Sequence, residues 1–192
     1  MYNALVKLIK VFVSLIFRVE VNGTENVPKE GGFILCSNHI SCWDPIIIQA
    51  YVKRRIYFMA KAELFKVFFV GSILKFIKAI PVKRTGSDLS AVKSAIKTVR
   101  SGECLGIFPT GQRSKLGSEG EVKSGVGFIA CKTDASVLPI HIDATFKIFS
   151  KVTVNIGKCV PYWDSDTKPA AEDFDRVSTC IYDDIKALGR SE

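Results

Sequence analysis

The chain has 192 residues, enough for one domain with a full core, and 47% of them are hydrophobic, with a mean hydropathy of +0.20. Its net charge of +8 is uneven: residues 1–100 carry +10 and residues 101–192 carry −2. No run of about 20 apolar residues occurs, which argues against a spanning helix. The basic first half has its lysines set among Phe, Ile and Val, a pattern that suits an anionic membrane surface and speaks against nucleic acid as partner.

Residues 2–17, YNALVKLIKVFVSLIF, place Asn3, Lys7, Lys10 and Ser14 four, three and four apart, on one narrow helical stripe. Everything else there is aromatic or aliphatic apart from Ala4, so the segment reads as a helix lying in the plane of a membrane interface. A helix buried against the domain and a signal peptide are the alternatives, the second weakened by the lack of a small-residue cleavage site before RVEVNG. The domain proper is expected over 18–192.

Alternating strand-like and helix-like segments follow. Strands are expected at FRVEVNG, GGFILCSN, IYFMA, AIPV, ECLGIFP, SVLPIHI and KVTVNIG. Helices are expected at PIIIQAYVKRR, over 62–78, at SDLSAVKSAIKTVRSG with Ser87 as cap, at SGVGFIACKT and over 171–188. Such alternation predicts one α/β domain, a mostly parallel mixed sheet flanked by helices. Residues 65–80 are apolar with a lysine edge, and read equally as core or as a second membrane-facing segment. The six cysteines form no CxxC pair and no metal-like spacing with histidine, which suggests a reduced, cytosolic compartment.

The stretch CSNHISCWDP, residues 36–45, follows a buried strand and holds one of only two histidines. Positions five apart on a helix lie about 140° apart, so His39 and Asp44 would not meet on one. Pro45 biases Asp44 toward extended backbone, which favours a strand ending near Asn38, a turn through 40–43, and a helix with Asp44 as N-cap and Pro45 at its first position. That turn can fold Asp44 toward His39 and give a carboxylate-oriented general base, just beyond a strand end where α/β folds hold ligands. A structural histidine with a plain helix cap, and Cys42 as a nucleophile with His39 as its base, are the competing readings. His141, the other histidine, reads as structural or as part of a rim.

NHISCWD resembles the His-x4-Asp motif of the glycerolipid acyltransferases, the PlsC-like 1-acyl-glycerol-3-phosphate acyltransferase family. KAELF (61–65), IPVKR (80–84), FPTGQRS (108–114), VKSGVGFIA (122–130) and VLPI (137–140) are similar to further blocks of that family, in its order. The resemblance covers roughly residues 18–142, and the amphipathic amino-terminal segment is also family-like. It implies a glycerol-3-phosphate acyltransferase-like fold and acyl transfer from acyl-CoA or acyl-carrier protein to the sn-2 hydroxyl of lysophosphatidic acid, giving phosphatidic acid.

Under that resemblance His39 is the base and Asp44 its orienting partner. Arg84 and Arg113 hold the acceptor phosphate, Lys61 adds positive charge, and Gly111 lets backbone approach the substrate and helps donate to the oxyanion. No metal or bound cofactor is implied, since the thioester carries the activation. A peripheral or monotopic place on the cytoplasmic face of the cell membrane is implied as well. One departure stands out: the family's usual FPEGTRS has Thr110 for its Glu and Gln112 for its Thr. Thr110 cannot neutralise Arg113, which leaves open a different lyso-acceptor or a catalytically weak, lipid-binding homologue.

Overall fold

A computed structural model describes residues 2–83, 88–113, 120–164 and 166–190. Seven strands form one sheet: β1 (Arg18–Asn22), β2 (Phe33–Ser37), β3 (Ile56–Lys61), β4 (Ile80–Val82), β5 (Cys104–Ile107), β6 (Val137–Ala144) and β7 (Lys151–Ile156). Their order is β1-β7-β6-β2-β5-β3-β4, and every pairing is parallel except β6 with β7. The helices are α1 (Tyr2–Ile16), α2 (Asp44–Tyr51), α3 (Phe68–Phe76), α4 (Leu89–Arg100), α5 (Gly125–Thr133) and α6 (Ala171–Leu188).

The central strand β2 shows why both faces are covered. All five of its residues are buried, and the first four alternate between two apolar clusters. Phe33 and Leu35 join Val13, Phe17, Ile47 and Ile48 under α1 and α2. Ile34 and Cys36 join Ala95, Val99, Ile129, Val177 and Ile181 under α4, α5 and α6. Strands sandwiched between helical layers lose the polar alternation of a one-sided sheet and read as unbroken apolar runs. Each large side chain so buried contributes about 1.5–3 kcal/mol.

Helix α1 is buried against the domain along one side and carries apolar residues on another. Ile9, Val13 and Ile16 pack inward, with Phe17 just beyond the helix end, while Leu8, Val11, Phe12 and Leu15 stand exposed on a second apolar stripe. The narrow polar stripe lies alongside α2. There the Lys10 ammonium sits 4.7 Å from the Tyr51 ring centre, and the Ser14 and Tyr51 hydroxyls are 3.1 Å apart.

Three sequence expectations change. The helix after Pro45 stops at Tyr51, where Val52 turns extended. Beyond it Gln49 donates to the Arg54 carbonyl and accepts from the Ile56 N–H. The single helix expected over 62–78 is a 3₁₀ turn, Ala62–Lys66, then extended Val67, then α3. Gly71 permits this fold-back: a Cβ there would lie 2.3 Å from the Phe65 carbonyl oxygen. Finally, the cap of α4 is Asp88, whose carboxylate accepts from the Ala91 and Lys83 N–H groups. The expected cap, Ser87, lies outside the described residues.

Candidate active site

The parallel strands β2 and β5 end on the same edge of the sheet, and the candidate residues of the loops that follow them collect there. Just past β2, the Asn38 side chain copies a backbone ladder step. Its amide donates to the Ile142 carbonyl and its oxygen accepts from the Ile142 N–H, both at 2.8 Å. This pins the start of the turn to β6, so His39 leaves a fixed point.

Asp44 is fully buried and turns back toward the loop that precedes it. One carboxylate oxygen, Oδ2, accepts from the Ile40 and Ser41 N–H groups at 2.7 Å each, and lies 2.8 Å from His39 Nδ1. Asp44 is therefore not the forward N-cap that the sequence suggested. Trp43 occupies the cap position without a side-chain bond, and Asp44 begins the helix with Pro45 beside it. The carboxylate caps the turn behind the helix instead, which is what brings it to the imidazole. With Nδ1–H donating to the carboxylate, Nε2 keeps its lone pair for a proton acceptor's work.

The imidazole, 18% exposed, has one face closed. It stacks on Phe108, with ring centres 4.1 Å apart and planes inclined by 19°. Phe108 stacks in turn on Phe58 of β3 at 5.7 Å and 9°. Asn38, Phe58 and Phe108 escaped the sequence reading, although two of them sit inside motifs that it used: Asn38 precedes the histidine and Phe108 opens FPTGQRS.

The loop after β5 supplies the other side. Gly111 adopts φ +65, a left-handed conformation that favours glycine, and its N–H donates to the Phe108 carbonyl at 2.9 Å. That N–H is spent on the turn, so in this conformation it is not free for the expected oxyanion donation. The Lys123 side chain lies over this turn, within 3.5 Å of where a Gly111 Cβ would be. Thr110 is 2% exposed, and its hydroxyl donates to the Gln112 carbonyl at 2.8 Å. Arg113 reaches back across the edge, one guanidinium nitrogen 3.2 Å from Cys42 Sγ, which sets its charge over the His39 turn.

Lys61 ends β3, on the same edge but two strands from β2. It pairs loosely with Glu63 at 3.8 Å, and both are well exposed, so the pair contributes little. Arg84 lies outside the described residues. Cys42 contacts Arg113, and among the described residues no bond joins its thiol to His39. The buried thiols of Cys36 and Cys104 are pushed up by desolvation, which makes them inert as nucleophiles. His141 packs near Gly189 beyond the end of α6, and burial pushes its pKa below 6.5, as expected of a structural histidine.

A doubly covered, mostly parallel sheet defines an α/β protein, and its candidate site is a carboxylate-paired histidine just beyond the carboxyl end of a strand. The acyltransferase family model matches residues 18–143. A 1-acyl-sn-glycerol-3-phosphate acyltransferase of Bacillus subtilis is 36% identical over 140 residues, 72% of this chain and 69% of that protein. One of Borreliella burgdorferi is 35% identical over 146 residues, 74% of this chain and 58% of that protein. The crystal structure of the 1-acyl-sn-glycerophosphate acyltransferase PlsC from Thermotoga maritima superposes with a TM-score of 0.72 at 26% identity, covering all of this chain and 82% of that one. This chain belongs to the acyltransferase family.

Proposed function

We propose that the protein transfers an acyl group from a thioester, acyl-CoA or acyl-carrier protein, to the sn-2 hydroxyl of 1-acyl-glycerol-3-phosphate, giving phosphatidic acid. The observation that carries this reading is the His39 Nδ1–Asp44 Oδ2 contact at 2.8 Å, which leaves Nε2 as the base. The names of the relatives supply the substrate class.

The hydroxyl of the acceptor binds at Nε2, and its proton moves to the imidazole as its oxygen attacks the thioester carbonyl. Asp44 favours the imidazolium that results. The tetrahedral intermediate collapses by breaking the carbon–sulfur bond, and the imidazolium returns its proton to the leaving thiolate. Arg113 holds the acceptor phosphate, with Arg84 and Lys61 as further cations, since guanidinium geometry suits phosphate oxygens. Gly111 supplies the left-handed turn that carries this loop from Phe108 toward Arg113. The thioester provides the activation, so the scheme uses no metal or bound cofactor.

The lipid acceptor argues for work at a membrane. Among the described residues no helix is long and apolar enough to cross one. The outward stripe of α1, with Lys7 beside it, fits peripheral or monotopic attachment to an anionic surface, which we assign to the cytoplasmic face.

The deciding assay offers wild-type protein and His39→Ala a panel of lyso-acceptors with both donor types, read by mass spectrometry. Acyl transfer to lysophosphatidic acid that disappears in a folded His39→Ala supports the proposal, and full activity in that variant sinks it. A second reading, a weak enzyme that binds lipid, is favoured by the neutral, internally bonded Thr110. Binding of lysophosphatidic acid with no turnover from either donor would support it.

A further inference from the structure

The edge of the sheet that carries His39 also carries exposed apolar residues that the chemistry does not use. Strand β6 runs parallel to β2 and is tied to Asn38 through Ile142, so its carboxyl-terminal end reaches that same edge. The connection from β6 to β7 projects there. Its first aromatic residue, Phe146, is anchored edge-on against Phe17 at 5.7 Å, and the Phe149 N–H donates to the Ile16 carbonyl at 2.7 Å. The tip between these anchors points outward: Ile148 is 73% exposed and Phe149 67%.

That exposure is maintained against the local backbone preference. Phe146 and Phe149 hold φ values of +53 and +62, in the left-handed region that bulky residues avoid. The hydrogen bond to Ile16 sets the tip beside the carboxyl-terminal end of α1, where Leu15 is also exposed. On the other side of the site, the chain runs from the end of β3 through Val67 into α3, and leaves Val67 and, on α3, Ile73 half-exposed. Lysines accompany each element: Lys147 at the tip, Lys66, Lys75 and Lys78 around α3. Monomeric proteins rarely leave several such apolar patches around one edge, and a basic rim around them matches an anionic lipid surface.

We propose that the Ile148–Phe149 tip and the outer side of α3 are membrane-contact elements which, together with α1, seat the His39 edge of the sheet on an anionic bilayer. The inference rests on the membrane-lipid acceptor proposed above and specifies how the domain is oriented toward it. The β6–β7 tip and α3 follow strands that lie to either side of β2 in the sheet order. A bilayer touching both would present an acceptor headgroup to Nε2 without extracting its acyl chain into water.

The test is co-sedimentation of the full chain with phosphatidylcholine vesicles, with and without phosphatidylglycerol. The variants are Ile148→Ser with Phe149→Ser, Val67→Ser with Ile73→Ser, and Leu8→Ser with Phe12→Ser on α1. Each of the first two pairs is expected to lower partitioning onto phosphatidylglycerol vesicles by about tenfold. Thermal unfolding and turnover of a short-chain, water-soluble lyso-acceptor should stay at wild-type levels. Wild-type vesicle binding by both pairs, with binding lost only in the α1 pair, overturns this inference and leaves the proposed function standing. Unchanged vesicle binding with a smaller oligomer in solution assigns the surface to a second copy and also overturns it. Failure of the proposed function would be seen separately, as absent turnover of the soluble acceptor by the wild type.

Discussion

The His39 imidazole lies nearly flat on the Phe108 ring, 4.1 Å between centres, while its edge is held by Asp44. The two contacts restrain different motions: the carboxylate fixes the direction of Nδ1, and the stack fixes the plane in which Nε2 can swing. Phe108 is therefore a positioning residue for the proposed base. Phe108→Ala should lower kcat by about tenfold or more with KM for the acceptor little changed, and Phe108→Tyr should recover most of the loss. A rise in KM alone, with kcat intact, would count against positioning.

Asp44 has two duties that two substitutions separate. Asp44→Asn keeps volume but removes the charge and can reverse the imidazole tautomer, so acyl transfer should fall by about two orders of magnitude or more. Asp44→Ala also strands the partly buried N–H groups of Ile40 and Ser41, and should destabilise the fold by about 1–3 kcal/mol. Steady-state kinetics and urea unfolding of the pair check this; wild-type stability in Asp44→Ala would show that the turn does not depend on the carboxylate.

Thr110 sits in the block that departs from the family pattern. A glutamate there would add a negative charge in the loop that carries Arg113, so Thr110→Glu should raise KM for a phosphate-bearing acceptor while sparing an uncharged one. Increased turnover in this variant would instead favour the reading of the natural chain as a weak homologue.

His141 gives a pH signature independent of catalysis. Burial lowers its folded pKa below the unfolded value of 6.5, so below that value the unfolded chain binds more protons than the folded one. Folding stability should therefore decline as pH falls through 6.5, and level off below the folded pKa. His141→Gln should shrink this decline in a series of thermal melts from pH 7.5 to 5. An unaltered slope would place the titrating group elsewhere.

Deleting residues 1–17 is a poor test of membrane attachment, because Val13 and Phe17 are core residues. Replacing Leu8, Val11, Phe12 and Leu15 by serine leaves the inward stripe intact. Those exposed substitutions should release the protein from anionic vesicles with a small change in melting temperature. Retained sedimentation would refute an interfacial role for α1.

Much of this was written in the order of residues along the chain. Unbroken apolar runs such as FILCS and CLGI, alternating with helical periods, determined a buried parallel sheet with helices on both faces, because only that arrangement covers every side chain of such strands. Pro45 and the spacing of His39 and Asp44 determined that these two could meet only across a turn. Local signals did not determine where α2 stopped or that residues 62–76 bend at Val67, since Gln49, Arg54 and Gly71 act through contacts formed after folding. The direction of Asp44 was also a tertiary matter: the sequence could offer a cap, but the turn behind the helix claimed the carboxylate. Phe108 meets His39, and Phe58 backs Phe108, only because β5 lies between β2 and β3, a neighbour relation that no local pattern encodes. The sequence by itself determined the fold class and the chemical pair; long-range packing decided which ring holds the base in place and which apolar residues remain for a surface outside the protein.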